Sequence, residues 1–340
     1  MAHAIIVGAG VSGLATAIAL RRIGWKVTVH EQAPGLPGGG TALGMWPEAM
    51  RALDRLGVGD RIRREAAYVR GGRILDPGGR VIARIPQSRG AHLISRGRLL
   101  SALRDEIPGD GIHWNRQLDP DAPLPIADLI VGADGIHSVI RARTWNPTAE
   151  RPLGTVAFRG VVDLPVASVS ETWGRGALFG VTPTDDGRAN WFACIRRDRL
   201  NAAPTSPRSA LETVFGGWHA RIGDVLSRID DGGIDRRTLF DVSLSHPYVR
   251  KPIVLVGDAA HAMAPNLGRG ACESLIDAVT LAEAIDGRHD LVAALHRYDR
   301  RRRARTRGIV ATARMLNRTA TAERGVRLRN RAISLLSPER

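Results

Sequence analysis

The sequence predicts an α/β fold: a Rossmann-like nucleotide-binding domain with an antiparallel-sheet domain inserted into it. Three observations carry this. A glycine fingerprint, Gly8-Ala9-Gly10-Val11-Ser12-Gly13, directly follows the apolar run 4–7. A second apolar run, 253–256, ends in Gly257-Asp258 and a loop holding Pro265, Gly268 and Gly270. Between them, residues 155–195 break into short strand-like runs separated by glycine, proline and aspartate, as in an antiparallel sheet.

The N-terminal unit reads strand, glycine turn, helix, strand. Gly8 permits a tight turn, Gly10 lets a pyrophosphate approach the backbone, and Gly13 lets helix pack on strand. Residues 14–20 are apolar on nearly every side, so this helix is buried. Gly24 ends it, and residues 26–30 form the second strand, closing on Glu31-Gln32. Glu31 lies 18 residues beyond Gly13, where a carboxylate accepts from ribose hydroxyls. Its charge disfavours a 2′-phosphate, so FAD or NAD is expected before NADP.

In the later stretch, Asp258 stands at the carboxyl end of a strand, the edge where open α/β sheets bind ligands. From Ala271, Leu275, Ala278, Val279, Ala282 and Ile285 recur at helical spacing. A carboxylate, a bare loop and a helix N-terminus therefore face one place, which suits a polyhydroxylated, partly anionic ligand. A second site of this kind favours FAD, because an NAD dehydrogenase needs no acceptor for a ribityl chain.

Gly257-Asp258-Ala259-Ala260-His261, with Pro265 and Gly268-x-Gly270, resembles the second flavin signature of the single-component aromatic hydroxylases. These are FAD-dependent monooxygenases of the p-hydroxybenzoate hydroxylase fold. The resemblance implies that Asp258 accepts from the ribityl hydroxyls. It implies that Gly268, Arg269, Gly270, Ala271 and Cys272 lie along the pyrimidine edge of the flavin, with Pro265 beside the substrate. Gly132-Ala133-Asp134-Gly135, with Ser138 and Arg141, is similar to a further family signature associated with the pyrophosphate and the pyridine nucleotide. Gly44 and Trp46-Pro47 match a segment beside the flavin, although Glu48 stands where the family carries Asn. Trp46 suits either a ring-stacking wall of the substrate site or a core position. Arg96 matches an arginine that reaches the FAD, and Leu118 a backbone contact on the adenine side. Residues 114–126 are shorter than the β-meander usual there.

The implied chemistry is monooxygenation. NADH or NADPH reduces FAD, O2 adds to give C4a-hydroperoxyflavin, and one oxygen hydroxylates or epoxidises a small aromatic or polycyclic substrate. No protein residue is expected to act as a dedicated catalytic base, and no metal site is expected. A dehydrogenase or reductase of the same fold without oxygen transfer is the alternative. The flavin-halogenase motif is absent. Arg269 stands between two glycines where relatives often carry Gln, and is expected to reach the anionic edge of reduced flavin.

The expected FAD-binding domain comprises residues 1–70, 88–150 and 245–310. The substrate domain comprises 71–87 and 151–244, and a C-terminal helical segment 311–340. Residues 71–85 read as a hairpin around Asp76-Pro77-Gly78-Gly79. Strands are expected at 155–162, 170–173, 177–181 and 190–195, roofing the flavin. Arg159, Phe179 and Trp191 are candidate pocket residues on them, but the phase facing inward is open. Residues 207–229 read as one helix. The run from Arg300 to Arg307 predicts a helix, solvated or partly docked. Val326, Leu328, Ile333, Leu335 and Leu336 are expected to pack back.

At 340 residues the chain is long enough for two domains, and an apolar content of 44% fits a globular protein. No membrane span and no signal peptide are evident. Two cysteines, Cys194 and Cys272, make no disulfide framework, and a reducing cytoplasm is expected. The formal charge of +15 comes almost wholly from arginine, since Lys26 and Lys251 are the only lysines. With no nucleic-acid module beside it, this excess reads as compositional, and no nucleic-acid partner is expected. A monomer or homodimer is expected.

Overall fold

The computed structural model describes residues 1–38, 40–145, 150–200, 206–243 and 245–336. Two sheets organise them. The smaller runs Val249–Arg250, Ile253–Leu255, Leu129–Gly132, His3–Val7, Lys26–His30, Ile112–His113, and is parallel apart from its first pair. Its strands are short and apolar, with both faces buried along residues 4–7 and 129–132. Val11–Arg22 and Gly270–Ile285 pack on it, with Ala4, Ile6, Leu14, Val29, Val131 and Leu255 in a continuous core.

The larger sheet has eight strands in the order Asp235–Val242, Glu150–Val162, Ala189–Arg196, Ala177–Pro183, Val169–Trp173, Ala67–Leu75, Val81–Ser95, Ala42–Met45. It is antiparallel except where Ala67–Leu75 runs parallel to Val169–Trp173. The sheet reaches further into the N-terminal region than expected, through Ala42–Met45 and the long strand Val81–Ser95. Strand Asp235–Val242 was not anticipated. Its period is broken by a register shift between Thr238 and Phe240, which hides the alternation a strand normally shows.

The helix expected over 207–229 is two helices, Pro207–Phe215 and Ala220–Leu226. The break falls at Gly216-Gly217. A Cβ at Gly216 would stand 2.6 Å from Glu212 O, and two glycines weaken helix continuation. Both helices cover one face of the large sheet through Leu211, Phe215, Ile222 and Val225.

The arginine run lies within the 30-residue helix Leu291–Ala320. Most of the run is on the outside, but Arg302 is only 1% exposed. The last described helix, Val326–Leu336, packs back through Ile333. Leu328 and Leu335 do not follow: both face solvent, on the opposite side of the helix from Ile333. The expectation for Leu336 lies outside the described side chains. Among the described residues no helix is long and apolar enough to cross a membrane.

Candidate functional site

Three signatures far apart in the chain meet at one edge of the small sheet. Gly8 has φ +103°, and a Cβ on it would lie 2.5 Å from Ala133 O. A Cβ on Gly13 would lie 1.8 Å from Gly8 O. Gly257 has φ +59°, and its Cβ would lie 2.7 Å from the Ser12 Cβ. Each glycine is therefore required by close approach, and two of them also by a backbone region that L side chains rarely occupy. Gly10 differs: nothing lies within 4 Å of its Cβ position. It leaves bare backbone at the N-terminus of Val11–Arg22, a cradle fitted to a pyrophosphate.

Glu31 ends its strand beside this cradle. Its carboxylate accepts from Ala9 N at 2.6 Å and Ala33 N at 2.8 Å, which fixes its position. Gln32 follows it, exposed. The same edge continues through Glu31 N to His113 O and Arg116 N to Glu31 O, ending at half-buried Leu118.

At the other end of the cleft, the carboxylate of Asp258 has no hydrogen-bond partner among the described residues. Protein atoms crowd it, yet it opens onto the cleft. Burial pushes its carboxyl above the usual range, and His261 and Arg96 pull it back. One buried group, Asp277, ties down the turn carrying Asp258. Asp277 Oδ2 accepts from Gly257 N at 2.7 Å and lies 2.6 Å from His261 Nε2. Asp277 Oδ1 accepts from Arg302 Nε at 2.5 Å, and Arg302 also donates to Glu273 Oε2 at 2.7 Å. Sequence reasoning missed Asp277 and Arg302. An acid in the middle of the apolar helix Gly270–Ile285 was the available signal.

Asp134 sits next to Gly8, but its carboxylate is committed. It accepts from Ser138 Oγ at 2.5 Å and Ile140 N at 3.1 Å, at the start of helix Val139–Trp145. Arg141 is buried and donates to Ala259 O at 2.9 Å. The polar residues of this signature bind each other and the Asp258 turn.

The loop after Asp258 turns at Gly268, φ +59°, whose Cβ position is 3.9 Å from Trp46 Nε1. Trp46 packs against the core of the small sheet and also against the Val69–Ala91–Leu93 cluster of the large one. It is half-buried between the two sheets, a core contact of both. Cys272 donates its thiol to Gly44 O at 3.1 Å, pinning the start of Gly270–Ile285 to strand Ala42–Met45. Burial pushes that thiol up to about 11.

Arg269 does not reach along the cleft as expected. Its guanidinium donates to Glu273 Oε1 at 2.9 Å and lies 3.8 Å from Glu48 Oε2. The two departures from the family pattern, Glu48 and Arg269, thus face each other, and the positive charge is already paired. Arg269→Gln is expected to leave the flavin reduction potential unchanged at low and high salt. It should cost about 1 kcal/mol of stability, because the pair is partly exposed and Glu273 keeps Arg302. Dye equilibration and thermal unfolding check this, and a potential that falls at low salt would return Arg269 to the ring.

The large sheet roofs the cleft with one phase of its strands. Phe179 and Trp191, offered as pocket residues, point the other way. They stack at 5.8 Å, are each 1% exposed, and pack against Phe215 under the covering helices. Their neighbours in the opposite phase, Val161, Thr182, Phe192 and Arg159, are half-buried. Arg159 faces this side with its Nε donating to Asp235 Oδ2 at 2.8 Å.

Comparison with known proteins agrees with this geometry. A family model described as "FAD binding domain" matches residues 1–92 and 87–313. Aurachin C monooxygenase/isomerase of Stigmatella aurantiaca is 34% identical over 331 residues, covering 90% of this chain and 86% of that protein. FAD-dependent urate hydroxylase of Klebsiella pneumoniae is 27% identical over 346 residues, covering 92% and 88%. The crystal structure of Klebsiella pneumoniae HpxO complexed with FAD and uric acid superposes with a TM-score of 0.88 at 25% identity, covering 99% of this chain and 93% of that one. The chain therefore belongs to the FAD binding domain family and is an FAD-dependent monooxygenase.

Proposed function

We propose that the enzyme uses NADH or NADPH and O2 to oxygenate a small aromatic or polycyclic substrate held between Trp46 and the half-buried face of the large sheet. The observation that carries this is the carboxylate of Asp258, which stands at a strand end with no protein partner among the described residues. Gly8, Gly10, Val11, Ser12 and Gly13 would hold the pyrophosphate, with the turn at Asp134 behind them. Glu31, Gln32 and Leu118 would hold the adenosine end, and Arg96 and Asp258 the ribityl chain. Gly44 and residues 268–272 would hold the ring edge through backbone groups. When bound, FAD supplies the redox chemistry that activates O2 and transfers one oxygen atom.

The protein's share is to bind, orient and keep water out. Trp46 and Pro265 wall the substrate side. The N-terminus of Gly270–Ile285 would turn a positive dipole end toward the bound cofactor and favour negative charge on its reduced form. That uric acid, a fused nitrogen-bearing ring, occupies the HpxO complex supports a ring substrate of similar size.

The test is turnover under 18O2 with NADH or NADPH and a panel of phenols, indoles and hydroxyquinolines. One labelled oxygen per product molecule is expected. Nicotinamide oxidation that yields only hydrogen peroxide with every probe would make the chain a reductase instead.

A further inference from the structure

The roof of the chamber holds one acid with no assigned role. Glu171 lies on Val169–Trp173, opposite Gly180 on one neighbouring strand and Ile74 on the other. Across the sheet, Glu171, Gly180, Phe192 and Arg159 form one row. A Cβ on Gly180 would lie 2.1 Å from Phe192 Cζ, so the phenyl ring lies over the bare glycine. The next row outward, Trp173, Leu178 and Cys194, is sealed by Leu316, Ala320 and Ile333. The row inward holds Asn190, whose Oδ1 accepts from Ala42 N at 3.1 Å on the flavin side. Two residues before Glu171, Val169 packs against the same Val69–Ala91–Leu93 cluster as Trp46.

Glu171 therefore stands between a closed end and the cofactor cleft, on the chamber side. It keeps accessible surface although protein surrounds it, as a side chain does when it fronts a cavity. Its Oε2 accepts from Trp173 Nε1 at 2.9 Å, and its Oε1 has no partner among the described residues. In a chain with 49 basic residues, none pairs with it among those described. Arg159, in the same row, is held by Asp235. Burial pushes the Glu171 carboxyl above the usual range, against the Trp173 N–H. An acceptor that is open to a cleft and without a protein donor is available to a ligand's N–H or O–H.

We propose that Glu171 is the specificity-determining residue of the chamber, accepting a hydrogen bond from a ring N–H or O–H of a neutral substrate. It rests on the reading of the chamber as the oxygenation site. Val161, Phe192, Val169 and Ile74 supply the apolar surround, so the substrate is a planar or polycyclic ring with a donor on one edge. Aromatic carboxylic acids are disfavoured, because a second carboxylate meets Glu171 without a cation between them.

The experiment measures binding by calorimetry on the FAD-loaded protein, using indole with N-methylindole, 4-hydroxyquinoline with 4-methoxyquinoline, and benzoate. The donor member of at least one pair is expected to bind roughly ten- to a hundredfold tighter than its methylated partner. Glu171→Leu should erase that gap while retaining FAD, and Glu171→Gln, which preserves shape, should narrow it. Equal binding within every pair, a gap that survives in both variants, or benzoate binding tightest would overturn the assignment. Failure of the oxygenation reading shows separately, as absence of labelled product under 18O2.

Discussion

Asp258→Ala is expected to lower FAD affinity roughly ten- to a hundredfold, because it removes a charged acceptor worth about 1.5–3 kcal/mol. The geometry sharpens this expectation. Among the described residues the carboxylate has no protein partner, so its acceptor capacity is available to a ligand and its removal orphans no protein donor. The variant should therefore fold as the parent does. Quenching of flavin fluorescence on titration measures the affinity. Asp258→Asn, which keeps a carbonyl oxygen, should fall between the two. An Asp258→Ala protein that retains FAD with parental affinity would remove this residue from the ribityl chain.

Asp277→Asn is expected to destabilise the fold by about 3–5 kcal/mol, the cost of breaking a buried ion pair by neutralising one partner. The side chains of Asp277 and Arg302 are 0% and 2% exposed, and Glu273 alone remains to balance the arginine. Burial would raise the Asp277 carboxyl, but His261 and Arg302 outweigh it and hold it at about 2, against an ordinary value of 3.8. A carboxyl depressed by folding stabilises above its unfolded value and loses that contribution as pH falls. Its share of stability is thus complete above about pH 4 and disappears as pH drops through about 2. Urea unfolding at neutral pH, repeated down the acid range, tests both parts. A loss under about 1 kcal/mol would show that the network is balanced without this charge. Because Gly257 N and His261 both lean on Asp277, the same variant should also loosen the turn that presents Asp258.

Much of the site was legible in local sequence because its parts are local. A glycine needing φ +103° or a Cβ-free contact leaves its mark at one position, as Gly8 and Gly13 do. A carboxylate at a strand end, as in Glu31 and Asp258, follows from where the apolar run stops. The alternating runs between 155 and 195 likewise marked four strands of the large sheet. The two helices within 207–229 and the bulged strand Asp235–Val242 were less legible, because Gly216 and the register shift at Thr238 disturb the periods on which such readings depend.

The sequence alone determined the cofactor class and the two-sheet plan, since both rest on backbone requirements and hydrophobic period. Tertiary structure alone decided which phase of the roof strands faces the chamber. A strand's alternation separates two faces but does not say which one the helices cover, so Phe179 and Trp191 became core under the covering helices while Glu171 and Phe192 fell on the opposite face. It also decided what each charge meets. Arg269 was drawn to Glu273 and Glu48, and Arg302 out of an arginine run to Asp277, because ion pairing depends on distances between segments far apart in the chain.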